Sequence, residues 1–373
     1  MILRVFIVLL FLAFFFNCKE NKQNPVEHAL RSSNDKIKKV MEQLEAHEVQ
    51  ILYTEISEGK DGSVEFRDFD FQLDDSLYFY PASSVKFPIA ILALEKVNEI
   101  SQINRNTPFS VSGDSVNSTV ANDINQIFAV SDNAAFNRLY EFFGKDDINA
   151  RLNLKGIPAR LSHRLSVDNS ADTTIKSVDF FEGDSIIFST EKTVADDIKP
   201  LKLRSIEKGV GYTIGDSLVK SPMDFSKKNY LPISSLHGIM KRLMFPQKFK
   251  LEQQFKLSEE DRSFLLNSMK SVPRQSGYDE TEYYDGYVKF FMIGDTKDRL
   301  SEAIDIYNKV GYAYGYLTDC AYIVDKKSGK SAIITATIHV NDNQIYNDGV
   351  YEYETIGIPF LAELGRQLMS SEN

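Results

Sequence analysis

No tryptophan occurs in the 373 residues, and the chain has only two cysteines and five histidines. Cys18 and Cys320 cannot build the disulfide framework on which small secreted domains rely. The histidines are scattered, and no HExxH, CxxC or comparable ligand spacing appears, so no metal and no cofactor is expected. Basic residues are outnumbered, 43 Lys and Arg against 53 Asp and Glu, which gives a net charge of −10 and a pI near 5.2. An acidic surface argues against nucleic acid and anionic lipid as partners. Long apolar runs are also missing, with one exception at the N-terminus.

That exception is "VFIVLLFLAFFF" (5–16), preceded by Arg4. It is too short to span a bilayer comfortably and has the length of a signal-peptide core. It ends at "FFNC", where Cys18 resembles the lipidated cysteine of a bacterial lipobox, although Asn17 stands where small residues are usual. Two readings stay open: a lipid-anchored Cys18, or a plain cleaved signal peptide. Under either, residues 1–18 export the chain, to the periplasm or to a membrane-anchored lipoprotein state. Residues 19–32 then form a tether, "KENKQNPVEH" being polar and unpatterned. The membrane is met only through that terminus, and a monomer is expected.

What remains, 33–373, carries 43% apolar residues overall, enough for one large domain or two lobes. Helical spacing marks 34–46. Period-two alternation marks "VQILYTEIS" (49–57) and "SVEFRDFDF" (63–71), joined by the turn "GKDG". "SVKFPIAILALEKVNEI" (84–100) predicts a helix apolar enough to be buried on most sides. Helical pattern continues over 118–153, broken at "SDN" (131–133) and "FGKDD" (143–147). Residues 165–230 show short strand-like pieces, "SIIFST" and "VGYTIG", without a long amphipathic run, and read as an elaborated loop insertion. Helices follow at 233–245 and 258–271, strands at 310–325 and 331–340, and a closing helix at 358–371. This order predicts an α+β fold: an antiparallel sheet lobe built from the N- and C-terminal segments (about 33–82 and 285–373) and flanked by helices, with an all-α lobe (about 83–284) and a cleft between them.

Three short motifs lie where a cleft would be. S-x-x-K at Ser83 and Lys86 carries little weight alone, since it recurs at Ser57/Lys60 and Ser205/Lys208, among others. Its setting is what differs. A proline-containing turn delivers Ser83 to the start of a buried helix, where its backbone N–H is free to stabilise an oxyanion. Lys86, one turn on, would be partly desolvated and so a better base. The competing reading is a helix cap with a snorkelling lysine. "SDN" offers Ser131 as a proton shuttle and Asn133 as a holder of Lys86 and a substrate amide; alternatively the three simply cap the next helix. "KVG" (309–311) opens a strand, on this reading. Lys309 would present charge to a substrate carboxylate, Gly311 would allow close approach of a ligand, and the Tyr312 N–H would complete an oxyanion hole.

S-x-x-K, then S-D-N, then K-(T/S)-G, in that order, resembles the class A β-lactamase and penicillin-binding serine hydrolase family. The likeness extends along "ASSVKFPIAIL", "VSDNAAFNRLYEFFG" and "KVGYAYGYLTDCAYI", and in element order over roughly 34–371 outside the insertion. It implies the β-lactamase/transpeptidase-like fold, Ser83 as nucleophile, Lys86 as its partner, Ser131 as shuttle, and Ser84 facing elsewhere. Asn133, Lys309, Gly311 and Tyr312 would bind substrate. The implied partner is a small-molecule β-lactam or a peptidoglycan stem peptide. Two departures matter. No E-x-x-L-N stretch occurs between 134 and 308, so the glutamate that activates the deacylating water is missing; Asp168 or His163 could stand in for it, although nothing in the spacing demands it and both read as structural. Val310 replaces a hydroxyl residue that would bond the substrate carboxylate. Acylation with slow turnover follows, as in a penicillin-binding sensor, or else a D-alanyl-D-alanine peptidase on the same scaffold.

Overall fold

A computed structural model describes residues 24–370. The signal segment and Cys18 lie outside the described residues. Five antiparallel strands form the main sheet: β1 (Gln50–Glu58), β2 (Val64–Phe71), β3 (Ile304–Ala313), β4 (Tyr316–Asp325) and β5 (Ser331–His339), in the order β3-β4-β5-β1-β2. The two chain ends thus meet through the β1–β5 pairing, Leu52 opposite Thr335.

Strand alternation gives the sheet two different faces. Ala332, Ile334, Ala336 and Ile338 point toward helices α1 (Pro25–Leu30), α2 (Asp35–Met41) and α9 (Ile358–Met369), together with Leu361 and Leu364. Ile333 and Cys320 face the other way, into the core shared with the helical lobe. That lobe comprises α3 (Lys86–Asn98), α4 (Val120–Val130), α5 (Asn133–Phe143), α6 (Lys145–Leu154), α7 (Ile233–Met244) and α8 (Glu259–Lys270). In α3 every residue but Lys96 and Asn98 is buried, so its apolar sequence is the core of the lobe itself. Pro88 falls in its first turn, where a missing N–H costs nothing.

Four expectations need correction. Residues 25–30, read as tether, are helix α1: Asn24 caps it, and Val26 and Ala29 are fully buried against the sheet's terminal helices. The helix expected over 34–46 breaks at Gln43, whose φ of −127° leaves the helical region. The strand expected over 310–325 is two strands around a tight turn, in which Tyr314 (φ 54°) and Gly315 (φ 80°) both take the left-handed conformation that a two-residue hairpin requires. Consequently Lys309-Val310-Gly311 does not open a strand. It lies past the middle of β3, so that the strand's last residues reach the cleft.

The 165–230 stretch is not independent. Val178–Glu182 pairs with Phe109–Val111 of the helical lobe, and Gly211–Ile214 pairs in parallel with Ile345–Tyr346 beyond the main sheet. It thus pairs with both lobes.

Candidate active site

The turn that carries Ser83 is built first. Ala82–Val85 form a 3-10 turn leading into α3, with Ala82 at φ 47°. Ser84 turns inward and donates its hydroxyl to Pro81 O at 2.6 Å. Ser83 is left half-buried on the cleft side, and its hydroxyl has no hydrogen-bond partner among the described residues. Strand β3 lies hard against this turn. A Cβ on Gly311 would stand 2.6 Å from Ser84 N, 2.7 Å from Pro81 O and 2.8 Å from Ser83 N. Only glycine fits. The backbone that approaches Gly311 is therefore the Pro81–Ser84 turn of the chain itself, and not a ligand as expected.

Lys86 opens α3 directly after this turn and is fully buried. Its ammonium donates to Asn133 Oδ1 at 2.6 Å, to Ser131 Oγ at 3.3 Å, and to Ser131 O. No carboxylate touches it. Burial pulls its pKa down to about 7, with only partial compensation from the charge of Asp132. A lysine so placed is neutral in a large fraction of molecules near pH 7 and can accept a proton.

The S-D-N segment links α4 to α5. Ser131 takes the left-handed conformation at φ 58° and ends α4, while the Asp132 carboxylate accepts from Ala135 N at 2.7 Å and caps α5. Asp123 and Arg138, at 2.6 Å and both buried, clamp the two helices on either side of the turn. Such a pair contributes fixed geometry more than net stability.

Lys309 stands elsewhere than expected. It is 2% exposed, does not line the cavity, and spends its ammonium on Ser131 Oγ at 2.7 Å and Val310 O at 2.8 Å. Burial, and then the neighbouring charge of Lys86, hold its pKa well below the usual lysine range. Its side chain reaches the cleft only through Ser131. Val310 is buried on the opposite face of β3, in the core beneath the sheet, so a hydroxyl at that position would not point into the cleft. The open edge of β3 adds a donor. The hairpin closes on the pair Ala313–Tyr316, so even-numbered residues turn their N–H and C=O outward; the Lys289 bond to Ile306 O and the Lys309 bond to Val310 O agree. Tyr312 N–H is thereby turned outward, one residue on from the Gly311 that packs against Ser83 N.

The cavity in front of Ser83 measures about 550 Å³ and is lined also by Asn133, Leu165, Ser166 and a group of tyrosines. Neither candidate substitute for the missing glutamate reaches it. His163 is buried, with its ring against Lys227 O at 2.7 Å, and its pKa falls to about 4 through burial. Asp168 is exposed and lines a separate cavity. Ser166 takes their place: its hydroxyl accepts from Asn133 Nδ2 at 2.9 Å, and its loop is anchored by paired bonds between the Asn137 amide and Leu165. Nothing in the sequence around Ser166 marks it out.

The beta-lactamase enzyme family model matches residues 32–197, a little under half of the chain, including Ser83, Lys86 and Ser131-Asp132-Asn133 but ending before Lys309. Over that stretch the chain is similar to the beta-lactamase enzyme family. Solved β-lactamase-like structures carry the fold across nearly its whole length. A beta-lactamase from Desulfarculus baarsii DSM 2075 shares 12% identity, with 93% of this chain and 98% of that one covered at TM-score 0.51. The structure of L2 complexed with relebactam shares 13%, with the same coverages, at TM-score 0.50. No curated protein matches the sequence. At these identities the β-lactamase-like fold is common to all three, and chemistry has to be argued from the residues in place.

Proposed function

We propose that the protein is an exported serine enzyme whose Ser83 is acylated by a β-lactam or a related acyl-D-amino acid amide. The observation that carries this reading is the buried, carboxylate-free Lys86 ammonium, held by Ser131 and Asn133 on the same turn as an unpartnered Ser83 hydroxyl. Lys86 takes the Ser83 proton. Ser83 Oγ bonds to the acyl carbon as the amide C–N bond breaks. The leaving nitrogen receives a proton through Ser131 Oγ, which stands between the Lys86 and Lys309 ammonium groups. The backbone N–H groups of Ser83 and Tyr312 face the developing oxyanion.

Release of the acyl group needs a water and a base, and no carboxylate or imidazole lines the cavity. Losing a general base typically costs ~10²–10⁴-fold in rate. The acyl-enzyme should therefore persist, which favours a penicillin-binding sensor or a slow peptidase over an efficient β-lactamase. A D-alanyl-D-alanine peptidase is the second reading, since Ser166 can orient an acceptor but cannot take its proton. Lipidation of Cys18 would place the monomeric enzyme at the membrane surface, and palmitate labelling lost in Cys18→Ser tests that.

The chemistry is tested by mixing the soluble domain with labelled penicillin and following intact mass and product beside Ser83→Ala. A long-lived adduct absent from the variant is expected. Rapid product release would mean that another base serves, and no adduct with any acyl donor would overturn the reading.

A further inference from the structure

Resting on the acyl-enzyme reading, the cleft also speaks to what it accepts. The cavity in front of Ser83 has no Asp, Glu, Lys, Arg or His in its lining. Five tyrosines line it instead: Tyr80, Tyr312, Tyr314, Tyr351 and Tyr353. Their rings hold one another edge-on or tilted. Tyr80 and Tyr314 have centroids 4.9 Å apart, Tyr312 and Tyr353 5.3 Å, and Tyr351 and Tyr353 5.2 Å. The set is fixed from behind, since Tyr353 Oη accepts Gly315 N–H at 2.8 Å and Tyr351 Oη accepts Asn347 N–H at 2.7 Å. Tyr312, which also meets Phe290 at 6.1 Å, is nonetheless 44% exposed, so much of this ring on the cavity wall remains open to contact.

Lys309, the cation expected to receive a carboxylate, is buried beneath Ser131 outside the cavity lining, with two of its three donors bonded to Ser131 Oγ and Val310 O. Moving it out would break both bonds. A carboxylate entering this cavity would lose its hydration and find no charge in return, whereas an uncharged flat ring would exchange water for tyrosine faces. We infer that the site selects acyl donors by an uncharged aromatic substituent seated among these tyrosines, and does not recognise a substrate carboxylate.

Two matched comparisons test this, each read as the rate of Ser83 adduct formation by intact mass. In the first, benzylpenicillin is set beside its neutral methyl ester; the ester is expected to react at least as fast. In the second, phenylacetyl and acetyl side chains are compared on the same bicyclic nucleus, and the aryl donor should lead by about tenfold, the scale of one good ring–ring contact. That ratio should collapse toward one in Tyr312→Leu and survive in Tyr312→Phe. Being a ratio within one preparation, it is unaffected by the fraction folded. The inference is overturned if the free acid outpaces the ester tenfold, if an aminoalkyl side chain outpaces phenylacetyl, or if Tyr312→Leu keeps the aryl preference. A small alkyl fluorophosphonate separates the two levels. Labelling of Ser83 without any aryl preference sinks this inference and leaves the nucleophile standing, while failure of every reagent at Ser83 sinks both.

Discussion

On one face of β3, Lys309 and Lys86 converge on Ser131 and Asn133. On the other face of the same strand, Lys289 donates to Met269 O, Ile306 O and Asn308 Oδ1, and Asn308 passes the network to Asp319, whose other oxygen accepts from Phe290 N and Phe291 N. Both networks are buried, and burial lowers Lys86 and Lys289 alike to about 7. They differ in what is left over. Beneath the sheet a carboxylate belongs to the network and each of the two side-chain acceptors, Asn308 and Asp319, is bonded, so the cluster pins the 285–293 segment to the strand. Above the sheet no carboxylate is in contact with Lys86, and three residues back along the chain the Ser83 hydroxyl is without a hydrogen-bond partner among the described residues. On the proposed function, equal burial makes one lysine a fastener and the other a base, and the deciding feature is the unpartnered Ser83 hydroxyl on the turn that leads into Lys86.

The sharpest way to break that contrast is at Lys86. Lys86→Met should lower Ser83 acylation, read per folded molecule, by ~10²–10⁴-fold, the usual worth of a general base; it also leaves Asn133 Oδ1 and the Ser131 oxygens without this donor, so some loss of stability accompanies it. Acylation at the wild-type rate would make Lys86 a second fastener. Next comes Gly311→Ala. The added methyl meets backbone atoms at 2.6–2.8 Å, none of which can rotate away. Displacing the nucleophile turn by a fraction of an ångström or more should cost up to ~10²-fold in acylation, and a lowered melting temperature should accompany it. Lys289→Met is the converse. It leaves three buried acceptors without their donor, an expected loss of about 1–3 kcal/mol in chemical denaturation, with acylation per folded molecule little changed. If acylation fell as steeply as in Lys86→Met, the two faces would not be distinct.

Much of this arrangement could be read in the sequence, and the exceptions have physical causes. The order of Ser83/Lys86, Ser131-Asp132-Asn133 and Lys309-Val310-Gly311 led to residues that the fold does bring together, because each motif sits at an element end or edge whose local signals, a proline turn, an N-cap and a glycine, are strong. The two-lobed α+β plan followed from period-two and helical runs. Three features did not show. The Tyr314–Gly315 turn hides in a run of aromatic residues that alternates as a strand would, and only the tertiary pairing reveals where it bends. The burial of Lys309 depends on Ser131, which is remote in sequence. Ser166 faces the cleft because Asn137 and Glu141 anchor its loop, the latter through Arg164, and no motif encodes that. The short strands of the insertion are likewise defined by partners at 109–111 and 345–346.

The subtlest separation of the two faces is by pH. With Lys86 near 7, acylation should rise as pH climbs through about 7 and level off above it, since only the neutral amine accepts the Ser83 proton. Stability responds differently. Lys86 and Lys289 both have folded values depressed from 10.5 to about 7, so between those limits the unfolded chain holds more protons and stability rises with pH; below about 7 both states are protonated and this contribution is flat. Asp319, raised from 3.8 to about 6 by burial, acts in the opposite sense, losing stability as pH rises through that range. Lys289→Met should thus reduce the rise in denaturation midpoint between pH 7 and 10 yet leave the acylation midpoint near 7. The charge of Lys289 bears on Lys309, and only through Lys309 on the cleft. A shift of the acylation midpoint by a full unit in Lys289→Met would mean that the lower lysine tunes the upper one through the strand, and that the two networks titrate as one.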